Sequence, residues 1–353
     1  MTTFPKSQQQ AWEQGGVFRA GSTDLWDRAR KKISIEEHVD LRDVVELQDT
    51  SIRISEEGLA TIPAMMTITE LAKQSIQIGH KALTQAASDL ATPAIRNVAR
   101  VGGNLMQEVR CPYFRSGMTS CLKTGGDSCP ARKGEHRYLS VVDLGGCIAP
   151  HPSTLALVFA ALGASVLCLE DGVEKQIPIE DLWVRPMRRL ILALEVPLAD
   201  QRSHSSWHRI SNRRFAEWPL VEVVLYVNEG DEGISEVCAY AGGIAAQPFS
   251  IVSLSKDWNG QSIRSISIDT KQLFLGKMKK MEQSKYKERL LTIALRQALA
   301  EIKEEVRSYV LGCVGKEREN KERTKNGESL YFHKMRCSIP ACEMHSQQVR
   351  TGN

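Results

Sequence analysis

Ile95-Arg-Asn-Val-Ala-Arg-Val-Gly-Gly-Asn-Leu105 is the stretch on which the reading of this chain turns. It ends in paired glycines and an asparagine. Glycine reaches positive φ and lets a ligand approach the backbone closely. Successive N–H groups in such a turn form a nest for an anion, and a helix that follows adds its dipole. A second turn of this kind lies upstream, in Phe18-Arg-Ala-Gly-Ser-Thr-Asp-Leu25. Two nests in one domain suit the two halves of a diphosphate. Singly, each also reads as an ordinary tight turn. Neither fits the G-x-G-x-x-G or G-x-x-x-x-G-K-[ST] pattern of Rossmann and P-loop sites.

Working outward, the residues from Gly15 read as a short strand broken by the first turn, and Asp24 to Lys32 as a helix. Thr67 or Thr69 is the expected N-cap of the next helix, and the helical pattern continues from Gln74 to Leu90. Ser153 to Leu162 reads as a helix ending at Gly163. Ala164–Leu169 and Arg189–Val196 read as strands, with Glu170-Asp171-Gly172 as a turn. Leu220–Val227 and Ser235–Gly243 read as antiparallel strands. Tyr286 to Ile302 carries an apolar stripe (Leu290, Leu291, Ala294, Leu295, Ala298, Leu299) and reads as the closing amphipathic helix. From 303 the chain mixes charges without a sustained apolar period, and reads as a solvated or disordered tail.

Between the second turn and the helix at Ser153 the periodicity fades. Cys111, Cys121 and Cys129 lie in this stretch and Cys147 closes it, interspersed with glycines. Long irregular segments inside compact domains are usually functional. Thiolates bind zinc or iron–sulfur clusters, and glycine-rich backbone lets four of them converge. The spacing is not the C-x-x-C of a ferredoxin or a zinc ribbon, so core or loop thiols stand as the other reading. Cys168 and Cys238, in expected strands, read as structural thiols. His136 and His151 read as hydrogen-bonding loop residues. Cys337 and Cys342 with His333 and His345 match no strong zinc template.

Composition narrows the class. The chain has 353 residues, 42% of them hydrophobic and 25% charged, with a mean hydropathy of −0.27. At ~100–200 residues per domain this predicts two or three domains. No apolar run approaches the ~18 residues of a membrane span. The start has no apolar core of a secretory signal. Net charge is only +4, with 46 basic against 42 acidic residues. The excess gathers into no stripe, so nucleic acid binding is not expected. Nine cysteines, an odd number without a secretory signal, favour metal or redox chemistry over a disulfide scaffold. No catalytic acid–base pair or nucleophile stands out.

The stretch at Ile95–Leu105 resembles the "iRN-A-(T)-iGGNL" signature of the FAD-binding subunit of molybdenum hydroxylases, the family of xanthine dehydrogenase, carbon monoxide dehydrogenase and aldehyde oxidoreductase. Phe18–Leu25 resembles its first flavin-diphosphate loop. Cys147-Ile-Ala-Pro-His-Pro-Ser-Thr-Leu-Ala156 with Ala161-Leu-Gly-Ala164 resembles a later block, and Ser284-Lys-Tyr-Lys-Glu-Arg-Leu290 the "YK-xx-L" of the C-terminal domain. The likeness covers roughly residues 15–300. Arg110-Cys-Pro-Tyr-Phe-Arg115, Cys121-Leu-Lys123, Ser128-Cys-Pro-Ala131 and Gly146-Cys-Ile-Ala149 resemble the subfamily with an extra [4Fe-4S] loop. There are departures. Ser22 replaces a glycine and Arg100 a threonine. Thr154 stands where the family has aspartate, and Arg209 to Arg213 where it has K-x-x-x-R. Ile62-Pro63-Ala64 replaces "iGA".

The resemblance implies an α+β fold. Residues 1–200 would form a two-part FAD-binding domain of the vanillyl-alcohol-oxidase/PCMH type, split into about 1–65 and 66–200, with a cysteine loop at 110–147. Residues 201–302 would form a smaller α+β domain, and 303–353 a tail. It implies FAD held by Phe18, Arg19, Ala20, Gly21, Ser22, Thr23, Asp24, Leu25, Arg100, Gly102, Gly103, Asn104, Ser153, Thr154 and Arg209. Within that set Asp24 reads better as a helix cap than as a phosphate neighbour. A [4Fe-4S] cluster would be held by Cys111, Cys121, Cys129 and Cys147. The implied oxidoreductase role is electron transfer. A [2Fe-2S] small subunit, fed by a molybdenum-cofactor large subunit, reduces the flavin, which passes electrons to an external acceptor. The expected compartment is the cytoplasm, or the periplasm by co-export with a partner. The alternatives are a flavin oxidase of the vanillyl-alcohol-oxidase class and a flavin-free zinc-thiolate scaffold.

Overall fold

A computed structural model of the chain describes residues 2–31, 33, 37–117, 120–185, 187–213, 217–269, 273 and 278–325, with side chains in the last helix as far as 308. Three sheets organise it. The first is a small parallel sheet of β1 (Thr2–Thr3), β2 (Val17–Arg19) and β3 (His38–Asp40), with β3 in the middle. The second is antiparallel and is built from β4 (Arg53–Ile54), β5 (Leu59–Pro63), β6 (Ser165–Glu170), β7 (Val173–Pro178) and β8 (Leu190–Pro197), in the order β4-β5-β8-β6-β7. The third runs β12-β11-β10-β9, from β9 (Ser203–Ile210), β10 (Val221–Gly230), β11 (Gly233–Gly242) and β12 (Phe249–Ser250).

Local sequence explains most of these elements. Thr67 caps the helix Ile68–Gln74 through a reciprocal box with Glu70, a signal that selects Thr67 over Thr69. The helical pattern expected from Gln74 to Leu90 is interrupted: a 3-10 turn at Ser75–Ile78 ends at Gly79, at φ 87°, and a separate helix runs Lys81–Asp89. Asp171 and Gly172 both take positive φ, the geometry of a two-residue hairpin turn between β6 and β7. Ser153 caps Thr154–Ala161, and all eight residues of that helix are buried.

The third sheet is covered on both faces, so β10 reads as a continuous apolar run. Val223, Leu225 and Val227 join the core under the last helix, with Leu291, Leu295 and Leu299. Val224, on the other face, joins Trp207 and the buried helix Thr154–Ala161 in the first core. The two halves therefore share a wall.

Four other expectations change. β4 and β5 fall within the expected first subdomain, yet β4 pairs with β5 and β5 with β8, so both join the sheet of the second. Val101–Leu105 is a short helix rather than a turn. The cysteine stretch contains one turn of helix at Pro112–Arg115 and 3-10 turns at Leu122–Thr124 and Pro130–Arg132. The closing helix runs Lys287–Lys325, past the expected end at Ile302. Ile302 and Val306 are buried four residues apart and extend the same stripe. The rest of the expected tail, with its cysteines and histidines, lies outside the described residues. Among the described residues no helix is long and apolar enough to cross a membrane.

Candidate functional site

β2 carries the chain into the first glycine turn, and β5 runs toward the second. The two turns meet. A Cβ on Gly21 would stand 2.1 Å from the carbonyl oxygen of Val98, so the backbones touch. Ala64, just past β5, accepts a 2.9 Å hydrogen bond from the Gly102 N–H. A Cβ on Gly102 would lie 3.0 Å from the Ala64 Cβ. These contacts enclose a cavity of about 480 Å³ lined by Phe18, Ala20, Gly21, Ser22, Thr23, Asp24, Leu25, Arg100, Gly102 and Gly103. Arg19 lines a second cavity of about 440 Å³, which shares Ala20, Gly21, Ser22, Met65 and Arg100 with the first.

The floor of this site is main chain. The helix Thr23–Arg30 starts from Ser22 without a side-chain cap, so its first-turn N–H groups open onto the cavity. Ser22 itself is left-handed, at φ 61°, a conformation that costs a non-glycine residue roughly 1–2 kcal/mol. Its hydroxyl accepts a 2.7 Å bond from Arg19 Nε, which holds the strained turn. A Cβ on Gly103 would meet nothing within 4 Å, so the second turn also presents open backbone. Cations outnumber anions on the walls: Arg28, Arg100, Lys123, Arg188 and Arg189 face Asp24 and Glu108. Arg100 donates to the Met65 carbonyl at 2.8 Å. Arg188 lies between the rings of Trp12 and Phe18, 4.4 and 4.5 Å from their centroids, and donates to the carbonyls of Trp12 and Gly16. Uncapped helix starts, open glycine backbone and an excess of cations suit a diphosphate, so the residues fit a dinucleotide such as FAD.

Four expected residues lie off the lining. Asn104 is buried and accepts from Ser153 Oγ at 2.8 Å. Ser153 in turn caps the buried helix. Thr154 Oγ1 donates to Glu222 Oε2 at 2.9 Å, and Trp207 Nε1 donates to the same oxygen at 3.2 Å. Burial pushes the Glu222 carboxyl up to about 7, against those two bonds. Arg209 sits opposite Glu222 across β9 and β10, with its guanidinium 5.5 Å from the Trp207 ring centroid. These side chains join the two halves of the chain.

Arg28 and Arg188 line the cavity and were not singled out in the sequence. Arg28 was legible, because it follows Asp24 by four residues on one helix. Arg188 had no local signal, since its place depends on β8 packing against the N-terminal segment.

Asp24 departs from its expected role. It does not cap its helix. It accepts from Arg115 at 2.6 Å, from Arg110 at 2.9 Å and from the Glu108 N–H at 3.1 Å. Arg115 is almost fully buried and also donates to the carbonyls of Glu108 and Val109. Arg110 stacks on Trp218 at 4.2 Å. Burial lowers Arg110 to about 10, with Asp24 acting against the shift. The residue after the first turn thus anchors the entrance of the cysteine segment.

The four cysteines share one apolar cluster with Phe114, Leu139, Ile148 and Met281. Cys121 opens a 3-10 turn in which Thr124 Oγ1 donates to its sulfur at 3.7 Å. Cys147 Sγ accepts from the Ala149 N–H at 3.5 Å. Burial pushes the Cys111 and Cys147 thiols up, and neighbouring cysteines add to each shift. As placed, no three His, Cys, Asp or Glu side chains among the described residues stand together closely enough to hold a metal ion. Arg132 clamps Asp143 at 2.7 Å within the segment. Cys168 is buried in β6, and Cys238 lies in β11, where burial pushes its thiol up to about 11. The Gln283 N–H donates to His136 Nε2 at 3.3 Å, which leaves Nδ1 to donate to Gly134 O at 2.9 Å. Burial lowers His151, edge-on to Trp183, to about 4.

A family model described as the FAD binding domain in molybdopterin dehydrogenase matches residues 7–199. The aldehyde oxidoreductase FAD-binding subunit PaoB of Escherichia coli K12 is 29% identical over 252 residues, 67% of this chain and 77% of that protein. The xanthine dehydrogenase FAD-binding subunit of Escherichia coli O157:H7 is 40% identical over 94 residues, 24% of this chain and 30% of that one. Among solved structures, reconstituted CO dehydrogenase from Oligotropha carboxidovorans matches with a TM-score of 0.64 at 15% identity, covering 86% of this chain and 97% of that one. Quinoline 2-oxidoreductase from Pseudomonas putida 86 matches with a TM-score of 0.62 at 14% identity, over 86% and 96%. At these identities the structural matches speak for the fold.

Proposed function

The chain belongs to the family of FAD-binding domains of molybdopterin dehydrogenases, and from that premise we propose that it is the flavin-holding, electron-transferring subunit of a molybdenum-dependent hydroxylase or aldehyde oxidoreductase. The observation that carries the reading is the contact between the two glycine turns over one cation-lined cavity. Bound FAD would supply the redox chemistry, taking electrons from the iron–sulfur partner and passing them to an external acceptor. The chain's own work is to hold and orient it. The backbone of Gly21, Ser22 and Thr23, with that of Gly102 and Gly103, would bind the diphosphate. Arg28 and Arg100 would offset its charge. Phe18, pinned by Arg188, would form an apolar wall.

The partners on this reading are a molybdenum-cofactor subunit and a [2Fe-2S] subunit, by analogy with the multi-subunit relatives. The aldehyde oxidoreductase class is favoured because the match to PaoB spans the cysteine segment's neighbourhood over two thirds of the chain. Cys111, Cys121, Cys129 and Cys147 are the proposed ligands of a [4Fe-4S] cluster. Their shared apolar cluster supports this. The thiols would have to close in and ionise to ligate, so no electron path is drawn through them.

Spectroscopy with metal analysis tests both parts. The chain purified with its partners should show flavin absorbance near one FAD per chain, and about four irons beyond those of the [2Fe-2S] subunit. A chain that takes up no flavin from excess FAD overturns the main reading. Flavin with zinc at the thiols, or with no metal, overturns only the cluster.

A further inference from the structure

The cysteine segment is gripped at two ends by different parts of the molecule. Asp24 holds its entrance. Its exit, residues 134–143, is held by the approach to the last helix, residues 279–288. The Met281 N–H donates to Val141 O, and the Asp143 N–H to Lys279 O, both at 2.9 Å. Ser284 Oγ donates to Ser140 O at 2.8 Å. His136 and Gln283 exchange two bonds, at 2.8 and 3.3 Å. Val141 and Val142 pack into the C-terminal core, although the cysteines on either side of them belong to another cluster.

Lys287 lies at the centre of this grip. It is 1% exposed, and among the described residues it meets no carboxylate. Its Nζ donates to Tyr138 O at 3.1 Å and to Gly243 O at 2.7 Å. One acceptor is in the exit of the cysteine segment, and the other follows β11. Gly243 cannot yield easily. It has φ +77°, and a Cβ there would stand 2.5 Å from Leu220 O. A buried amine is costly unless hydrogen-bonded, so its two carbonyls must stay in place.

We propose that Lys287 is a positioning residue for the cysteine segment: it buckles the exit, at Tyr138, to the end of β11, at Gly243, and so sets where Cys147 stands relative to Cys111, Cys121 and Cys129. The inference rests on the reading that the four thiols act as a set, but its test needs no iron. Neighbouring charges are engaged elsewhere. Lys280 pairs with Glu288, Lys285 with Glu282, Arg137 with Glu135, and Asp143 with Arg132 and Lys279. Glu222, beyond Gly242, takes bonds from Thr154 and Trp207. Burial lowers Lys287 to about 7, while Tyr138 and Tyr286 remain the nearby phenols on the exit and on its own segment.

The buckle therefore has a pH signature. Closed, Lys287 loses its proton above about 7. Opened to water, it keeps it to about 10.4. Between those values the open state binds more protons, so the closed state gains with rising pH, by up to about tenfold per unit. Below about 7 both states are protonated and the effect is flat.

Amide hydrogen exchange on the full-length chain, from pH 6 to 10 and corrected for intrinsic rates, tests this. In the unaltered chain, opening of residues 134–149 should become rarer above pH 7, while residues 104–117 at the entrance show no such slope. K287M should flatten the slope and speed exchange of the exit at least fivefold at pH 9. K287R should flatten the slope but stay within about twofold of the unaltered chain at pH 7. A slope that survives in K287M, or one shared by entrance and exit, overturns the proposal. Should K287M not fold, the unaltered chain still decides: an exit without a slope overturns it. Iron and flavin are assayed on the same samples, so absent iron counts against the cluster and leaves the buckle standing.

Discussion

The glycine-turn cavity and the cysteine segment lie side by side, and both are rich in glycine, yet they are held in different ways. The cavity is made of main chain. The first turn follows β2 and its Gly21 touches the backbone of Val98, just ahead of the second glycine pair, while Gly102 of that pair packs on Ala64 at the end of β5. The cysteine segment has only single turns of helix and is gripped at both ends by buried charged side chains, with backbone bonds of Lys279 and Met281 beside them at the exit. Asp24 and its arginines grip one end, and the Lys287 region grips the other. A site of backbone tolerates changed side chains and fails when a Cβ is added. A segment held by buried charges fails when one partner is removed.

The sharpest way to break this contrast is at Gly21. G21V should reduce FAD affinity by at least a hundredfold, because its Cβ collides with backbone at Val98. Exit exchange at residues 134–149 should stay unchanged. Equilibrium dialysis with FAD and hydrogen exchange check the two halves, and normal FAD affinity would refute the shared cradle. Asp24 lies where the regions join. D24N removes the nearer of the two carboxylates shared by Arg110 and Arg115 and leaves Asp27 at 3.8 and 3.2 Å, a loss of about 1–3 kcal/mol. It should lower the melting temperature and speed alkylation of Cys111. A variant as stable as the parent would show that the arginines find other partners.

Glu222 probes residues outside the cavity. Its carboxyl is raised to about 7 in the folded chain, against about 4.3 unfolded. Between these values the folded state holds the extra proton, so stability falls as pH rises from about 4.5 to 7. E222Q should remove that fall, gaining about 1–3 kcal/mol at pH 8 and little at pH 4.5. Denaturant titrations at the two pH values measure it. Unchanged FAD affinity in E222Q would place Thr154 with the structural contacts rather than the cradle. The smallest change is expected at Ser22. S22G relieves a left-handed serine but gives up the bond from Arg19. It should stabilise the chain by about 0.5–1 kcal/mol and tighten FAD severalfold. Weaker FAD binding would mean that the serine side chain itself holds the ligand.

The legible residues were those whose role is local. Thr67, Ser153 and the pair Asp171-Gly172 act on backbone within a few positions, so their cap, helix start and turn were readable from spacing, whereas the break at Gly79 inside the helix expected over 74–90 was not. The continuous apolar run of β10 placed the third sheet. The first turn was readable because glycine and its substitute, Ser22, answer to φ. Asp24 was misread because an acid early in a helix has an obvious local use, while its real partners lie 86 and 91 residues further along the chain. The end of the last helix was misread because the charges after Ile302 masked one more buried turn at Val306.

Residue order determined the two glycine turns, the clustering of four cysteines along one stretch and the family likeness that joins them, because each is carried by neighbours within a dozen positions. Tertiary structure alone decided that the turns touch, that Arg188 and Arg28 wall the cavity, that Thr154 faces Glu222, and that the C-terminal half closes the cysteine segment through Lys287. Each of these contacts joins residues whose separation in sequence leaves no periodic trace. They form only where packing of the sheets brings buried charge to a partner that keeps it from being stranded.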